Sequence, residues 1–183
     1  MNILKAVIFI FASVWIMWVS RAALKDPRSH GFYRFFAWEA ILLLVLLNLN
    51  YWFVQPLAWH QLIAWTLLFI SLYIVIEGFR LLRRGKSGES RRDDSLLEME
   101  KTTELVTSGL YAYIRHPLYS SLLFLTWGTF FKHPNLTGFF LALLATVALA
   151  LTAKVEEFEN LQYFGDDYRV YRQRTKKFIP FFF

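Results

Sequence analysis

Between Gly109 and Tyr119 the chain reads Gly-Leu-Tyr-Ala-Tyr-Ile-Arg-His-Pro-Leu-Tyr, a cation, a titratable ring and phenols at the edge of an apolar run. Some forty residues later, beyond two hydrophobic segments, stand Glu156 and Glu157. Arg115 carries a fixed cation whose planar fork suits a carboxylate. His116 has a side chain that exchanges a proton near neutral pH. The tyrosine faces attract cations, and the adjacent glutamates attract ammonium groups or accept hydrogen bonds. Charge at the mouth of membrane helices is costly unless it binds something. The two clusters are therefore the first place to look for function.

The elements that must position them are apolar. The chain of 183 residues is 56% hydrophobic and 19% aromatic, with a mean hydropathy of +0.37, above the ~45–50% apolar content of soluble domains. Five apolar runs account for the excess: 3–19, 35–54, 62–79, 118–131 and 136–153. A helix crossing the bilayer core needs about 20 such residues, so all but the fourth are long enough. The fourth is expected to borrow length from the Gly109–Pro117 stretch or to cross at an angle. The pattern predicts an all-α, polytopic membrane protein with about five transmembrane helices.

Lysine and arginine placement gives the orientation. With the N-terminus outside, 18 of the 20 basic residues fall on the cytoplasmic side, leaving only Lys5 and Lys132 outside. Both polar clusters and the C-terminal tail then face the cytoplasm; in a bacterium the membrane would be the inner one. The first apolar run lacks a small-x-small cleavage site and has its basic residues after it, so it reads as an uncleaved anchor. With no cysteine, disulfides, thiolate metal sites and a cysteine nucleophile are excluded. The net charge of +6 reflects topology and lipid headgroups rather than nucleic acid.

The chain is expected to form one membrane domain over 1–183. Three N-terminal helices fill 1–82, a cytoplasmic loop 83–104, and a helical hairpin with a C-terminal helix and tail 105–183. The Gly- and charge-rich 83–94 reads as a flexible linker, and 95–104 as a short interfacial helix. His133-Pro134-Asn135 predicts a tight turn between helices four and five. Pro117 opens helix four, where a missing backbone N–H costs little. Nothing breaks helix five until Gly165, so it should run past the membrane with Val155, Phe158 and Leu161 on one apolar face. The hairpin brings Arg115, His116 and Tyr119 to the depth of Glu156 and Glu157. The basic and aromatic tail is expected to fold back onto the membrane surface.

Arg115-His116-Pro117-Leu118-Tyr119, the hydrophobic hairpin, Glu156-Glu157, Phe164-Gly165-Asp166-Asp167-Tyr168-Arg169-Val170-Tyr171 and Ile179-Pro180 together resemble the isoprenylcysteine carboxyl methyltransferase family. The related membrane phospholipid N-methyltransferases share much of the pattern. The resemblance covers 105–180, and five elements match in order; the three N-terminal helices carry no recognised motif. One departure is Ser121, where the family often has glycine. The resemblance implies a membrane methyltransferase that uses S-adenosylmethionine, held in a cytoplasm-facing pocket of helices four and five and the tail. Arg115, His116, Tyr119, Glu156 and Glu157 would line it, with Tyr111, Tyr113 and Tyr119 offering their faces to the sulfonium or the adenine. Arg115, His116 and Glu157 are the catalytic candidates. Arg115 would hold the cofactor carboxylate, and one of the two glutamates its ammonium or ribose. Adjacent helical residues point about 100° apart, so the other glutamate would orient Arg115 or His116. A general base is needed only if the acceptor must lose a proton: a carboxylate acceptor needs none, while a protonated amine would give His116 a task.

The implied acceptor is a lipophilic small molecule or lipid reaching the site from the bilayer: an isoprenylcysteine carboxylate, a phospholipid amine, a small thiol or another hydrophobic carboxylate. No nucleic acid and no metal is expected, since His30, His60 and His133 lack ligand-like spacing. Two other readings stand beside this one. An NADPH-dependent membrane reductase of the sterol type shares C-terminal motifs but needs basic residues for a 2′-phosphate, which the glutamate pair disfavours. A non-catalytic membrane subunit could keep the same fold. Blander roles also exist. Arg115 could anchor at the headgroups, the glutamates could simply be solvated, and Tyr168 and Tyr171 read as packing residues. Glu77 could pair with Arg80, Glu39 with Arg34 or Arg80, and Asn48 and Asn50 could bond between helices.

Overall fold

A computed structural model describes residues 2–84 and 104–180. Six α-helices follow in order: α1 (Ile3–Val19), α2 (His30–Asn48), α3 (Trp59–Arg84), α4 (Pro117–Lys132), α5 (Leu136–Phe164) and α6 (Asp166–Arg174). Among the described residues there is no strand, only an isolated parallel bridge between Ile114 and Lys176. The all-α expectation holds. The expected linker and interfacial helix within 83–104 fall almost wholly outside the described residues, as do the three terminal phenylalanines.

Among the described residues, three helices are long and apolar enough to cross a membrane: α2 with its short 3-10 continuation to Tyr51, α3 and α5. The α1 helix is apolar but has 17 residues, and α4 has 16. The α4 helix does not borrow length from the motif: Gly109–Ala112 is a separate 3-10 turn, and the helix starts at Pro117. The clash between a proline ring and the preceding residue's helical conformation keeps His116 out of the helix. Large apolar side chains such as Phe11, Phe69 and Leu136 are left more than half exposed. Water would penalise such a surface and lipid does not, as befits a membrane protein.

Successive helices reverse direction, so the bundle has two distinct ends. At one end α2 finishes beside α4, where Asn48 donates to the Thr129 carbonyl at 3.1 Å. There Gln61, at the start of α3, donates to the Lys132 carbonyl at 3.1 Å. The turn 133–135 lies at this end, and Asn135 caps α5 by accepting from the Gly138 N–H at 2.8 Å. Lys132 is buried there, its Nζ 3.3 Å from the Trp65 ring centre and 3.0 Å from Gln61 Oε1. The starts of α2 and α4 and the far end of α5 share the opposite end, with the Arg-His-Pro motif.

The predicted hairpin forms, but its two helices lean chiefly on others: α4 on α3, and α5 on α2. Small residues allow both approaches. A Cβ at Gly128 would stand 3.0 Å from Leu68 Cγ and 3.2 Å from the Ala64 carbonyl. On the other side Ala37, Ala40, Ala145, Ala148 and Ala153 pack with Ile41 and Leu149 into a buried core that also takes in Tyr119 and Phe178. Close backbone approach through small residues is the usual basis of helix association in lipid.

Several polar expectations change on folding. Glu77 does pair with Arg80, at 3.4 Å. Glu39 instead accepts a 2.6 Å hydrogen bond from Ser13 of α1, because its position on α2 faces that helix. Of the expected apolar face on the α5 extension, Val155 and Leu161 are half-buried but Phe158 is 61% exposed, and Glu157 is buried. The tail turns onto the motif, with Phe178 buried and Ile179 left exposed.

Candidate functional site

The site is built where three segments meet. After the 3-10 turn at Gly109–Ala112, the chain runs extended past Ile114 beside the tail, and three backbone hydrogen bonds fix the pairing. Lys176 N–H donates to the Tyr113 carbonyl at 2.9 Å, Arg115 N–H to Lys176 at 2.8 Å and His116 N–H to Lys177 at 3.2 Å. Two backbone donors that precede a helix thereby gain partners. Gly165, at φ 60°, then reverses the chain between α5 and α6, a conformation that glycine adopts without steric cost.

Arg115 joins the segments. Its Nε donates to Glu157 Oε1 at 2.8 Å, and its Nη1 donates to the carbonyls of Thr175 and, at 3.2 Å, Arg172. Its Nη2 makes no hydrogen bond among the described residues. Glu157 also faces Lys177 Nζ at 3.5 Å. The His116 ring is bracketed by carboxylates, Nδ1 lying 3.5 Å from Glu156 Oε2 and Nε2 3.4 Å from Glu157 Oε1. These distances are longer than well-formed hydrogen bonds, so the contacts act mainly through charge. Burial alone would lower the His116 pKa, but the two carboxylates outweigh it and hold it above the ordinary histidine value. On its faces the ring stacks with Tyr119 at 5.5 Å and meets Phe178 at 6.0 Å.

A cleft of about 680 Å³, its open mouth included, lies against this cluster. Arg115, His116, Tyr119 and Glu156 line it; Glu157 and Tyr113 do not. Tyr113 is 56% exposed on the outside. The two glutamates divide as their 100° offset requires: Glu156 borders the cleft, and Glu157 lies behind it holding Arg115.

Further residues line the cleft: Tyr111, Phe164, Tyr168 and Tyr171 from the motif strings, and Leu82, Leu105 and Asn160, which no motif singled out. A signal for two of these was present, since Glu156, Asn160 and Phe164 are successive i+4 positions on one helix face. Tyr168 and Tyr171 are both buried, and Tyr171 Oη donates to the Tyr111 carbonyl at 2.7 Å. Burial is the largest influence on both phenols and pushes their pKa values up, so they stand as neutral walls. One cluster had no sequence signal. His30, at the first turn of α2, bonds Glu159 of α5 through Nδ1 at 2.6 Å and its backbone N–H at 2.9 Å.

With this geometry in view, similarity to known proteins is informative. Residues 59–167 match the profile of the family described as Phospholipid methyltransferase. The chain is 31% identical over 120 residues to methanethiol S-methyltransferase 1 of Bradyrhizobium diazoefficiens, a match covering 64% of this chain and 39% of the other. It is 31% identical over 127 residues to a probable protein-S-isoprenylcysteine O-methyltransferase of Oryza sativa subsp. japonica, covering 64% and 63%. The human protein-S-isoprenylcysteine O-methyltransferase is 28% identical over 132 residues, covering 70% of this chain and 46% of the human one. The matches thus span less than two thirds of each relative's length. No solved structure gives a significant match. The family profile takes in more than half of the chain, from the start of α3 through the motif and the glutamate pair. The chain belongs to the phospholipid methyltransferase family.

Proposed function

We propose that the cleft binds S-adenosylmethionine and that the chain methylates a lipophilic acceptor at its edge. One observation carries the reading: in a chain of this family, Arg115, His116, Tyr119 and Glu156 converge on a single cleft walled by Tyr111, Tyr168 and Tyr171. The donor set suits the cofactor. Glu156 offers a carboxylate to its ammonium, and the tyrosine faces suit a sulfonium or a purine. Arg115 has Nη2 left for its carboxylate once Glu157 and the tail have taken Nε and Nη1.

When bound, the cofactor supplies an activated methyl group for in-line displacement. The chain's contribution is position. Arg115 and Glu156 set the polar ends, and Glu157 holds Arg115 in place. Tyr119 and Phe178 fix the His116 ring, which takes up a proton only where the acceptor must lose one, as a protonated amine or a thiol does.

A lipophilic acceptor is supported by a second, almost wholly apolar groove of about 650 Å³, lined by Leu67, Leu123, Phe124, Trp127 and Ile179 and ending at Ser120 and Phe178. Ser120 Oγ lies within hydrogen-bond distance of both the His116 carbonyl, at 3.0 Å, and the Phe178 carbonyl, at 2.7 Å. The groove therefore abuts the wall of the cleft. The motif end is read as cytoplasmic from its basic residues. A single cysteine introduced by Arg174→Cys should react with an impermeant maleimide only once the cytoplasmic face is opened.

The decisive experiment incubates membranes holding the protein with methyl-labelled S-adenosylmethionine and identifies the labelled product. Purified protein should bind S-adenosylmethionine and not NADPH; the reverse would return the reading to a membrane reductase.

A further inference from the structure

A second polar cluster lies at the motif end, outside the cleft. His30 is fully buried at the start of α2. Its backbone N–H donates to Glu159 Oε1 at 2.9 Å and its Nδ1 to Glu159 Oε2 at 2.6 Å. Both carboxylate oxygens are thus engaged by one residue, and the carboxylate occupies the positive end of the α2 dipole. The other ring nitrogen is held as well: Arg34, one turn further on, brings Nη1 to 3.3 Å from His30 Nε2. Arg34 is itself buried, with its guanidinium 5.0 Å from the Trp38 ring centre. A donor at Nε2 and an acceptor at Nδ1 select the tautomer with its proton on Nδ1, aimed at Glu159.

Glu159 sits on the stretch of α5 that carries the two site carboxylates. It is two residues beyond Glu157, about 3 Å along the axis at 1.5 Å per residue. Up to Ala153, α5 is fixed by the small-residue core it shares with α2. The same helix runs on without a break to Phe164, and beyond Ala153 the His30–Glu159 contact is a further tie between that extension and α2. Fraying or swinging of this extension would carry Glu156 and Glu157 away from His116 and Arg115.

We infer that His30 and Glu159 form a positioning clamp that anchors the α5 extension to the start of α2 and so holds Glu156 and Glu157 against Arg115 and His116. Neither clamp residue lines the cleft; they act through the site carboxylates. The effect on cofactor affinity rests on the reading of the cleft as an S-adenosylmethionine site, whereas the effect on the helix does not.

Two readouts separate these. The chain has no cysteine, so a nitroxide on a single cysteine from Phe158→Cys reports the extension's motion with no cofactor present. Glu159→Ala and His30→Leu should each increase that mobility. In the unlabelled protein, each should weaken S-adenosylhomocysteine binding by calorimetry about tenfold, the scale of one charged hydrogen bond. In turnover, each should raise the KM for S-adenosylmethionine more than it lowers kcat. The double variant should lose no more than either single, because both remove one interaction. His30→Asn places an amide N–H near the Nδ1 position and should recover affinity to within about threefold of wild type. Should Glu159→Ala fail to fold, Glu159→Gln, which keeps an acceptor for the backbone N–H, should give an intermediate loss. Unchanged label mobility overturns the clamp. So do losses that multiply in the double variant, or an Asn variant as weak as the Leu one. Wild type that binds no S-adenosylhomocysteine while the mobility result stands would overturn the cofactor reading alone.

Discussion

Arg115 Nε lies 2.8 Å from Glu157 Oε1, and each of the two side chains is 9% exposed. The contact joins the segment before α4 to the extension of α5, and the same guanidinium reaches the tail carbonyls. Removing one partner of a buried pair leaves an uncompensated charge, at a cost of about 3 kcal/mol or more. Arg115→Ala should therefore lose thermal stability in detergent as well as S-adenosylhomocysteine binding. Arg115→Lys keeps the charge but lacks the fork that serves Glu157 and the tail together, so it should recover little of either. Unfolding curves and calorimetry check both; an alanine variant of wild-type stability would show that the pair does not hold the site.

His116 gives a pH dependence. Its pKa is raised above 6.5 because Glu156 and Glu157 outweigh burial, so the fold favours the imidazolium. That stabilising contribution is complete below about pH 6.5 and is lost as pH climbs through the raised value. If the acceptor is a protonated amine, the neutral ring is the working form. Activity should then rise with pH, with its midpoint above 6.5, and Glu156→Gln should move the midpoint down. A carboxylate acceptor should show no such limb, so the pH–rate profile also sorts the acceptor chemistry.

The approach of α3 and α4 depends on Gly128. A side chain there meets Leu68 at 3.0 Å and the backbone carbonyl of Ala64 at 3.2 Å, and a carbonyl cannot swing aside. Gly128→Leu should destabilise the protein by about 1–3 kcal/mol through overpacking, with Gly128→Ala near the lower end. Thermal unfolding of the two variants beside wild type tests the order.

At the other end of the bundle, Lys132 is enclosed by Trp65, Trp52 and Gln61. Lys132→Met keeps an unbranched stem but removes the cation, and should lower stability by about 1–2 kcal/mol. Its distance from the cleft means that S-adenosylhomocysteine affinity should stay at the wild-type value. A loss of affinity would connect the two ends in a way that the packing does not.

Apolar runs, Pro117, the 133–135 turn and the stop at Gly165 locate the helices well, because each acts through local backbone or hydropathy rules. The motif residues were legible as types, and i+4 spacing from Glu156 points to Asn160 and Phe164. Pairings that depend on how one helix is rotated against another were not legible. The hydroxyl that meets Glu39 comes from α1, and Glu159 finds its partner 129 residues earlier in the chain. The role of the tail was hidden for a different reason. Its pairing with the motif is a single bridge, too short to leave an alternating pattern, and its basic and aromatic content matched a membrane-surface segment equally well.

That bridge bears on the order in which the site can form. The N–H groups of Arg115 and His116 are satisfied by carbonyls about sixty residues downstream. Residues 176–178 follow α4 and α5 in the chain, so both helices can enter the membrane before the tail docks. Until those residues dock, the motif has its side chains in place but no second edge to hold them. The cleft is therefore a late product of assembly, closed after the bundle it rests on, and a chain stalled before Phe178 should be inserted, helical and unable to bind.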